Sequence, residues 1–338
     1  MSSEQVVPRG AVLAVVIPYF QRTPGLLAQC VRSVLSQVSP FDVRVVVTDD
    51  ESPVPAEPEL RAAFGDNQRI TLVKQKNAGP GAARNSCLDH LPPSTEFVAL
   101  LDSDDAWLPG FLDCAARALR DDVDLFFADS QRFGQELSRF NWHDDESLNL
   151  RGAPHAVVDR ELGIYRFTGD FFDFLIRRSN ILSSSSMIYR LNAAPDLRFD
   201  TTLFNGQDRL FKLRLGWRAR AAVFSTRVYC REGEGVNIFD SAVWGSRKAQ
   251  RLCASYISLH TMILQEFELN PAQRRYVRRQ LSSLREQFLR NSLHLLRSGD
   301  GVDWPLVRET YRRDWTLAAC APLDMARALV RKSARALQ

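Results

Sequence analysis

The stretch Phe97-Val98-Ala99-Leu100-Leu101-Asp102-Ser103-Asp104-Asp105 decides the fold. Its apolar residues, bounded by turn residues, predict a buried parallel strand that ends at Asp102, and Trp107-Leu108-Pro109 indicates the start of a helix. Ligands of open α/β sheets bind just beyond the carboxyl ends of such strands. This acidic turn therefore places carboxylates where a metal ion and phosphate groups would meet.

Three earlier segments repeat the arrangement of a strand followed by a polar or glycine-rich turn. The predicted strands are Val12 to Ile17, Val43 to Val47 and Ile70 to Val73. A predicted helix from Ala82 to Leu91 leads into the strand that ends at Asp102. Such β-α alternation favours a mostly parallel, doubly wound sheet with right-handed crossovers, so the fold class is α/β.

The pattern loosens in the middle of the chain. Leu125 to Ala128 is a predicted strand, but Phe133 to Gly169 has little periodicity and is interpreted as a loop or acceptor-side insertion. Ser183 to Tyr189 is a further predicted strand, whose serine cluster (residues 183–186) is interpreted as packing or as polarity in an acceptor pocket. Asn205-Gly206-Gln207-Asp208 introduces a helix that Gly216 closes.

Beyond Trp244 the sequence predicts helices almost to the end, with breaks at Asn270-Pro271 and at residues 298–301. Residues 245–338 carry 17 Lys and Arg against 8 Asp and Glu, whereas residues 1–244 carry 27 against 32. The basic character is therefore C-terminal. Contact with an anionic membrane or phosphorylated acceptor, a subunit interface, and a solvated helical face are the interpretations that stay open.

Composition limits the classes of protein that this chain can belong to. With 338 residues, 45% hydrophobic and 25% charged, it is expected to form one large domain plus an appendage. No apolar run reaches the roughly 18 residues of a membrane span and Met1 to Gly10 lacks a signal-peptide pattern, so a cytoplasmic location is expected. The six cysteines show no C-x-x-C spacing and are expected to be reduced, mostly buried thiols.

The acidic turn offers side-chain oxygen atoms that can bind a divalent metal ion. Mg²⁺ and Mn²⁺ prefer one or two carboxylates completed by phosphate oxygens and water, so Asp102, Ser103 and Asp104 suit a metal-diphosphate site. Acidic turns also cap helices, but the position of this one after a four-strand pattern favours the metal site. Asp49 and Asp50 follow the second strand, where a carboxylate can accept a base N–H or cap a turn.

Together these segments resemble family 2 glycosyltransferases, enzymes with the GT-A nucleotide-sugar fold. The similar segments, in the order expected for that family, are Val15-Val16-Ile17-Pro18-Tyr19-Phe20-Gln21-Arg22, Val46-Val47-Thr48-Asp49-Asp50-Glu51-Ser52, Asn77-Ala78-Gly79-Pro80-Gly81-Ala82-Ala83-Arg84-Asn85 and Leu101-Asp102-Ser103-Asp104-Asp105. The resemblance is specific over about residues 12–113 and weaker to about residue 240. It implies a GT-A domain over residues 1–240, with a donor half at about 10–113 and an acceptor half at about 114–240, followed by a basic helical region over residues 241–338.

The resemblance also assigns residues to a donor site. Asp50 would hold the base, Arg84 would contact the nucleotide, Asp102 would lie against the ribose or sugar, and Asp104 would bind Mn²⁺ or Mg²⁺ with Asp102. Asp105 is a less certain metal ligand. Tyr229-Cys230-Arg231-Glu232-Gly233-Glu234-Gly235-Val236-Asn237 is similar to the final active-site strand and loop, where Arg231 would reach the diphosphate. No histidine occupies this loop, so Glu232 or Glu234 would take the place of a metal-ligating histidine. The donor-binding set is Pro18, Asp50, Asn77, Gly79, Arg84, Asp102, Ser103 and Arg231.

In this family a later acidic residue, often the second of a Glu-Asp pair that opens a helix, removes the proton of the acceptor hydroxyl. Here the pair is Gln207-Asp208, so the resemblance assigns Asp208 as the general base. It implies an inverting transfer from a nucleotide-diphosphate sugar, with UDP-sugars favoured, to a saccharide or lipid-linked acceptor in bacterial surface polysaccharide synthesis. A peripheral position at the inner face of the membrane and a homo-oligomer stay open, and no nucleic-acid partner is expected.

Two other classes of protein remain as alternatives. A phosphohydrolase with an Asp-x-Asp nucleophile would carry Thr or Val where Ala106 stands, and would place the motif on its first strand. A non-catalytic nucleotide-sugar-binding protein is compatible with the missing carboxylate at Gln207. A dehydrogenase is favoured less than either, because the first strand leads into Pro18 without a glycine-rich turn. His143, beside Trp142, is interpreted as an exposed loop histidine rather than part of an acceptor site.

Overall fold

Ten strands form one sheet in the computed structural model, which describes residues 7–235, 242–299, 301–314 and 316–317. The strands are Val12–Tyr19 (β1), Asp42–Asp49 (β2), Ile70–Lys74 (β3), Thr95–Leu100 (β4), Ala106–Trp107 (β5), Leu125–Arg132 (β6), Ala156–Asp159 (β7), Ile164–Arg166 (β8), Met187–Arg190 (β9) and Ala222–Glu232 (β10). Their order across the sheet is β3-β2-β1-β4-β9-β6-β10-β8-β7, and β5 pairs with β10 beside this path.

The α-helices of the described residues alternate with the early strands and then gather at the end of the chain. They are Leu26–Leu35 (α1), Ala56–Phe64 (α2), Pro80–Asp89 (α3), Phe111–Ala118 (α4), Phe171–Arg178 (α5), Gln207–Arg218 (α6), Arg247–Glu266 (α7), Pro271–Ser298 (α8) and Trp304–Arg313 (α9).

The first four strands are parallel, as the sequence predicts. β1 is buried along its whole length and pairs in parallel with both β2 and β4, while β3 pairs in parallel with β2. A strand covered on both faces needs a continuous apolar run, which explains the uninterrupted apolar sequence from Val12 to Ile17 in β1. Because the strands run in one direction, the turns after β1, β2 and β4 come together at one edge of the sheet.

The second half of the sheet adds antiparallel pairs. β9 lies between β4 and β6 and is antiparallel to both, while β10 is parallel to β6 and antiparallel to β8. The sheet is therefore mixed, with its parallel pairing concentrated in the four strands that precede the acidic turn.

Four local expectations were wrong. Gly216 does not close the helix that Gln207 opens, because α6 continues to Arg218. The strand predicted from Ser183 begins only at Met187, because Ser184–Ser186 form a 3-10 helix. Phe133 to Gly169, interpreted as a loop, contains β7 and β8, two strands of four and three residues that are too short to give an alternating signal. The helix expected near Trp107 begins at Phe111, since Ala106–Trp107 form a short strand against β10.

Four of the five described cysteines, Cys30, Cys87, Cys114 and Cys230, are buried, Cys253 is half-buried, and all five are free thiols. This confirms the prediction of reduced, mostly buried thiols for these positions. Cys320 lies outside the described residues. None of the helices in the described ranges is long and apolar enough to cross a membrane.

The chain divides into two compact units. One is Met1–Asp200 with Phe211–Val236, and the other is Thr201–Leu210 with Asn237–Gln338. Thus residues 201–210, the last four of which open α6, cluster with the C-terminal helices. The predicted domain ranges 1–240 and 241–338 stay a prediction.

Within the second unit, α7 and α8 pack around Ile257, Leu281 and Phe288, each of which is nearly inaccessible to solvent. Asn270 caps α8 with its side chain, and Gly299 ends that helix in a left-handed conformation with φ of 80°. The predicted helix breaks are therefore confirmed.

Candidate active site

The acidic turn after β4 is closed by its own main chain and held by a serine that precedes β9. The Asp105 N–H donates to the Asp102 carbonyl at 3.0 Å. The Asp102 N–H donates to Ser185 Oγ at 3.0 Å, and Trp107 Nε1 donates to the Ser185 carbonyl at 2.7 Å. Ser185, one member of the serine cluster, thus positions the turn from both ends.

An ion pair joins the acidic turn to α3. Arg84 Nη2 donates to Asp102 Oδ1, and the Arg84 side chain is 9% exposed whereas that of Asp102 is 39% exposed. The Arg84 guanidinium also lies over the Phe199 ring, 5.3 Å from its centroid. The structure therefore brings two predicted donor-site residues into contact and leaves part of the Asp102 carboxylate open to solvent.

Asp50 organises the loop that precedes α3. Its Oδ1 accepts hydrogen bonds from Gln75 Nε2 at 2.7 Å and from the Ala78 N–H at 2.8 Å, and its Oδ2 accepts one from the Gly79 N–H at 2.9 Å. Asn77 Nδ2 donates to the Asp50 carbonyl at 3.0 Å. Both carboxylate oxygens are thus engaged by the segment that carries the predicted residues Asn77 and Gly79, and a role in binding the base stays a prediction.

The neighbouring Asp49 has a capping role. Its Oδ1 accepts from the Ser52 N–H at 2.8 Å, and its Oδ2 accepts from the Ala56 N–H, the first residue of α2, at 2.9 Å. A carboxylate at a helix N-terminus satisfies main-chain donors that have no partner within the helix. For Asp49, the interpretation as a turn and helix cap is therefore confirmed.

Hydrogen bonds also join the ends of β1 and β2 to the acidic turn. Gln21 Nε2 donates to Ser103 Oγ at 3.0 Å, and the Gln21 N–H donates to Ser52 Oγ at 2.8 Å. Pro18 is buried in β1, opposite Thr48 of β2. The predicted residues Pro18 and Ser103 therefore belong to the same sheet edge as Asp50 and Asp102.

The chain that leaves β10 lies directly on the acidic turn. The Gly233 N–H donates to Asp105 Oδ1 at 2.9 Å, and the Gly235 N–H donates to Asp104 Oδ2 at 2.7 Å. A Cβ atom at Gly233 would lie 2.0 Å from the Asp104 carbonyl oxygen, and one at Gly235 would lie 2.4 Å from the Asp104 carboxylate. Only glycine allows this approach at either position.

The carboxylates of the turn are crowded. Burial raises the pKa of Asp105 well above its ordinary value, and the charges of Asp102 and Asp104 raise it further. Burial also raises the pKa of Asp104, with the Asp102 charge as the next cause. Like charges held in one partly buried turn create a negative potential that a cation relieves.

These residues fit a divalent ion that shares its ligands with a substrate. Among the described residues, no three His, Cys, Asp or Glu side chains are grouped as a complete metal site. Mg²⁺ commonly takes only one or two carboxylates and completes its shell with phosphate oxygens and water. Asp102 and Asp104, on one turn at the edge of the sheet, offer that donor set.

A buried ion pair beside the turn escaped the sequence analysis. Ser130 Oγ donates to Glu232 Oε1 at 2.7 Å, and Arg139 Nη2 donates to Glu232 Oε2 at 2.5 Å. The Glu232 and Arg139 side chains are only 12% and 11% exposed. Although burial alone would raise the pKa of Glu232, its hydrogen bond to the Arg139 guanidinium holds it below the ordinary value. Arg139 lies in the aperiodic stretch, where no sequence signal identified it.

The two remaining predicted site residues lie on separate elements. Arg231 is an exposed residue of β10, in register with Ala106 of β5. Asp208 is half-buried in the first turn of α6 and belongs to the second unit. There, burial raises the pKa of Tyr256 and the Asp208 charge raises it further, which places the Asp208 carboxylate within electrostatic range of that hydroxyl. His143 lies in a loop, where its main-chain N–H donates to Asn149 Oδ1 at 3.1 Å.

Comparison with known sequences identifies the enzyme class that these residues resemble. A sequence model of Glycosyl transferase family 2 matches residues 14–190, which include β1 to β4 and the acidic turn. The succinoglycan biosynthesis protein ExoW of Rhizobium meliloti (strain 1021) is 35% identical over 238 residues, or 68% of this chain and 72% of that protein. The GalNAc(5)-diNAcBac-PP-undecaprenol beta-1,3-glucosyltransferase of Campylobacter jejuni is 33% identical over 164 residues, or 47% of this chain and 50% of that protein.

Solved structures confirm the expected GT-A fold. Residues 1–349 of S. aureus TarS in complex with UDP-GlcNAc give a TM-score of 0.54 at 19% identity, over 82% of this chain and 72% of that one. The mannosyltransferase PcManGT from Pyrobaculum calidifontis, in complex with GDP-Man and Mn²⁺, gives a TM-score of 0.55 at 15% identity, over 96% of this chain and 84% of that one. At such identities the likeness is one of fold.

Proposed function

This chain belongs to glycosyltransferase family 2, and on that premise we propose that it transfers a sugar from a nucleotide-diphosphate sugar, UDP-sugars favoured, to a saccharide or lipid-linked acceptor. The observation that carries the proposal is the linked set of contacts at one sheet edge. There, Arg84 donates a hydrogen bond to the Asp102 carboxylate, and Gln21 donates one to Ser103 Oγ. The Asp50 carboxylate accepts hydrogen bonds from the loop before α3.

The donor would lie along this edge of the sheet. Asp50 and the loop at Asn77 and Gly79 would receive the base, because parallel strand ends and exposed main-chain groups meet there. Arg84 and Arg231 would face the nucleotide and its diphosphate, since guanidinium groups match phosphate oxygens in charge and geometry.

Mn²⁺ or Mg²⁺ would be held by Asp104 and Asp102, with Asp105 as a further candidate ligand. When bound, the ion offsets the negative charge that develops on the departing diphosphate. Support for the assignment comes from the crowding of carboxylates on one turn and from the oxygen ligands that these ions prefer.

Asp208 would act as the general base. Its carboxylate takes the proton of the acceptor hydroxyl, whose oxygen forms a bond to the anomeric carbon while the bond from that carbon to the diphosphate oxygen breaks. Attack from the face opposite the diphosphate inverts the anomeric centre. No nucleophilic side chain is required, because the acceptor oxygen itself is the nucleophile.

The relatives support a place in bacterial surface polysaccharide synthesis. One takes part in succinoglycan biosynthesis, and the name of another describes a polyprenyl-diphosphate-linked saccharide. The structural neighbours hold UDP-GlcNAc in one case and GDP-Man in the other. UDP-sugars are therefore the first donors to test, and GDP-mannose belongs in the same panel.

A nucleotide-sugar-binding protein without turnover is the second candidate function. The observation that favours it is Gln207, which stands beside Asp208 where the family often has an acid. Gln207 is only 4% exposed, and its Oε1 has no hydrogen-bond partner among the described residues. Such a protein would bind donor normally and transfer nothing.

The basic C-terminal helices leave two further proposals open. Arg275, Arg278 and Arg279 are exposed on α8 and would contact either an anionic membrane surface at the cytoplasmic face or a second copy of the chain. Vesicles of rising anionic lipid content at low salt test the first, and the molar mass in solution tests the second. Failure to sediment with vesicles contradicts the membrane contact, and a monomeric mass contradicts the interface.

The experiment that tests the function is calorimetric titration of UDP, GDP and dTDP, with and without Mn²⁺, into the intact protein and into Asp104→Ala. We expect metal-dependent binding of one nucleotide, lost in the variant. Turnover is then followed as nucleotide release from UDP-glucose, UDP-GlcNAc and GDP-mannose with a polyprenyl-diphosphate-linked oligosaccharide. Absence of binding to all three nucleotides would contradict the proposal.

A further inference from the structure

We infer that helix α7 is the element that positions the proposed base, with Ser255 and Tyr256 as positioning residues for the segment that carries Asp208. The inference rests on the proposed function of Asp208. It gives part of the C-terminal region a role inside the reaction, in addition to any contact with a membrane or a second subunit.

A single hydroxyl fixes the main chain three residues before Asp208. Ser255 Oγ accepts a hydrogen bond from the Asn205 N–H at 2.9 Å and donates one to the Asn205 carbonyl at 2.7 Å. Ser255 is 6% exposed. Because both polar groups of one residue's main chain depend on a buried partner, loss of that hydroxyl leaves them without compensation and releases the segment.

The next residue of α7 reaches the same segment with a second hydroxyl. Asn205 Nδ2 donates to Tyr256 Oη at 3.0 Å. The Asp208 charge acts on the same tyrosine, as the raised pKa of Tyr256 records after the larger effect of burial. Tyr256 therefore bonds the anchored Asn205 side chain and lies within electrostatic range of the Asp208 carboxylate.

Packing also holds this segment against α7. These packing contacts and the hydrogen bonds from Ser255 and Tyr256 are called the α7 clamp below. Gly206 has a φ of 87°, and a Cβ there would lie 2.9 Å from Leu259 Cδ2. The Arg251 guanidinium lies over the Phe204 ring, 4.0 Å from its centroid. Arg251, Ser255 and Leu259 are spaced by four residues and therefore share one face of α7. That face holds Phe204, Asn205 and Gly206 in succession, just before α6 begins.

Such a clamp serves catalysis because a base must lie within hydrogen-bond reach of the proton that it takes. A displacement of about 1 Å at a reacting group can slow turnover by about 100-fold. Donor binding depends on the other unit of the chain, where the predicted nucleotide and metal residues lie. Loosening the clamp should therefore lower kcat and leave the affinity for nucleotide unchanged.

The test compares Ser255→Ala and Tyr256→Phe with Ser255→Thr, which keeps the hydroxyl, and with Thr261→Val. Thr261 is the matched control, because its hydroxyl donates to the Ile257 carbonyl within the same helix. We expect kcat to fall by about 10- to 100-fold in the first two variants, with the donor KM and the nucleotide Kd within about twofold of wild type. Ser255→Thr should restore most of the turnover, and Thr261→Val should resemble wild type.

A second measurement needs no turnover. Hydrogen exchange of the Asn205 amide should accelerate in Ser255→Ala and stay unchanged in Thr261→Val, because only the first variant removes the acceptor of that N–H. Unchanged exchange together with wild-type kcat in Ser255→Ala would overturn the inference, as would a loss of turnover in Ser255→Ala that comes entirely from weaker nucleotide binding.

Asp208→Asn, measured alongside, separates this inference from the proposed function. If Asp208→Asn is inactive while Ser255→Ala and Tyr256→Phe turn over like wild type, the positioning role of α7 is wrong and the base assignment stands. If Asp208→Asn keeps full turnover, the base assignment is wrong and the inference falls with it. Loss of kcat in all three variants, with nucleotide binding retained, supports both.

Discussion

Gly235 donates its backbone N–H to Asp104 Oδ2 at 2.7 Å, so the chain that leaves β10 already engages one oxygen of the proposed metal ligand. A bound cation would compete with the Gly235 N–H for that oxygen or share it. The position of residues 233–235 and the affinity for the metal are therefore linked.

Gly235→Ala should weaken metal-dependent nucleotide binding by about tenfold or more. The added Cβ would lie 2.4 Å from the Asp104 carboxylate and must displace either the loop or that side chain. Titration of UDP with Mn²⁺ measures the change. Gly134→Ala is the control: among the described residues nothing lies within 4 Å of an added Cβ there, and its φ of 69° makes the substitution strain only the local backbone. Equal affinity in Gly235→Ala and wild type would show that the contact is unimportant for binding.

Arg84→Ala should destabilise the protein and weaken donor binding. It leaves the Asp102 carboxylate without its cation, and breaking a fully buried pair costs about 3–5 kcal/mol. Because the Asp102 side chain is 39% exposed, solvent reduces the expected loss to about 1–2 kcal/mol in urea unfolding. Arg117→Ala, which removes an exposed ion pair with Asp113, should cost less than about 0.5 kcal/mol. Similar losses in the two variants would contradict a special role for Arg84.

Asp208→Asn should lower kcat by about 100- to 10,000-fold, because an amide cannot take the acceptor proton. The nucleotide Kd should stay within about twofold of wild type, since the predicted donor residues lie in the other unit. Asp196→Asn is the matched control, because Asp196 is an exposed partner of Arg218. Wild-type turnover in Asp208→Asn would remove the base assignment.

His260 should make the folded state sensitive to mild acid. Burial, and then the Arg209 charge, lower the pKa of His260 to about 4. The ordinary pKa of a histidine is about 6.5. At a pH between these two values, His260 binds a proton in the unfolded chain but not in the folded chain. The free energy of unfolding therefore falls as the pH drops below about 6.5.

Urea unfolding at pH 7.5 and pH 5 measures this effect in wild type and in His260→Leu. The wild type should lose about 2 kcal/mol more than the variant between these pH values, because the variant has no group to titrate there. His90→Leu, at an exposed position, serves as the control and should behave as wild type. Parallel losses in wild type and His260→Leu would contradict the prediction.

The first four strands and the acidic turn were predictable because β1, β2 and β4 are mostly buried and therefore have continuous apolar sequences. A polar turn follows each of these strands, and it is recognisable in the sequence because it interrupts the apolar run. A parallel sheet brings such ends to one edge, so the placement of Asp50 and Asp102 followed from the strand pattern alone.

Other features depend on contacts that no local pattern reveals. β7 begins with the exposed residues Ala156 and Val157, so no buried face marked it as a strand. The pair of Glu232 and Arg139 joins residues 93 positions apart, one of them in a stretch without periodicity. The contact of Asn205 with Ser255 joins a helix start to a distant helix, and a single sequence holds no signal for it.

The boundary between the two compact units falls within α6, and this limits which segments can be exchanged between relatives of this enzyme. Phe204, Asn205 and Gly206 pack on α7 although about forty residues separate them from it along the chain. Consider a hybrid protein that joins the sheet of one relative to the C-terminal helices of another. It should fold and catalyse transfer only when residues 201–210 come from the same relative as the helices. In sequence comparisons, substitutions at Asn205 should accordingly be matched by substitutions at Ser255 or Tyr256.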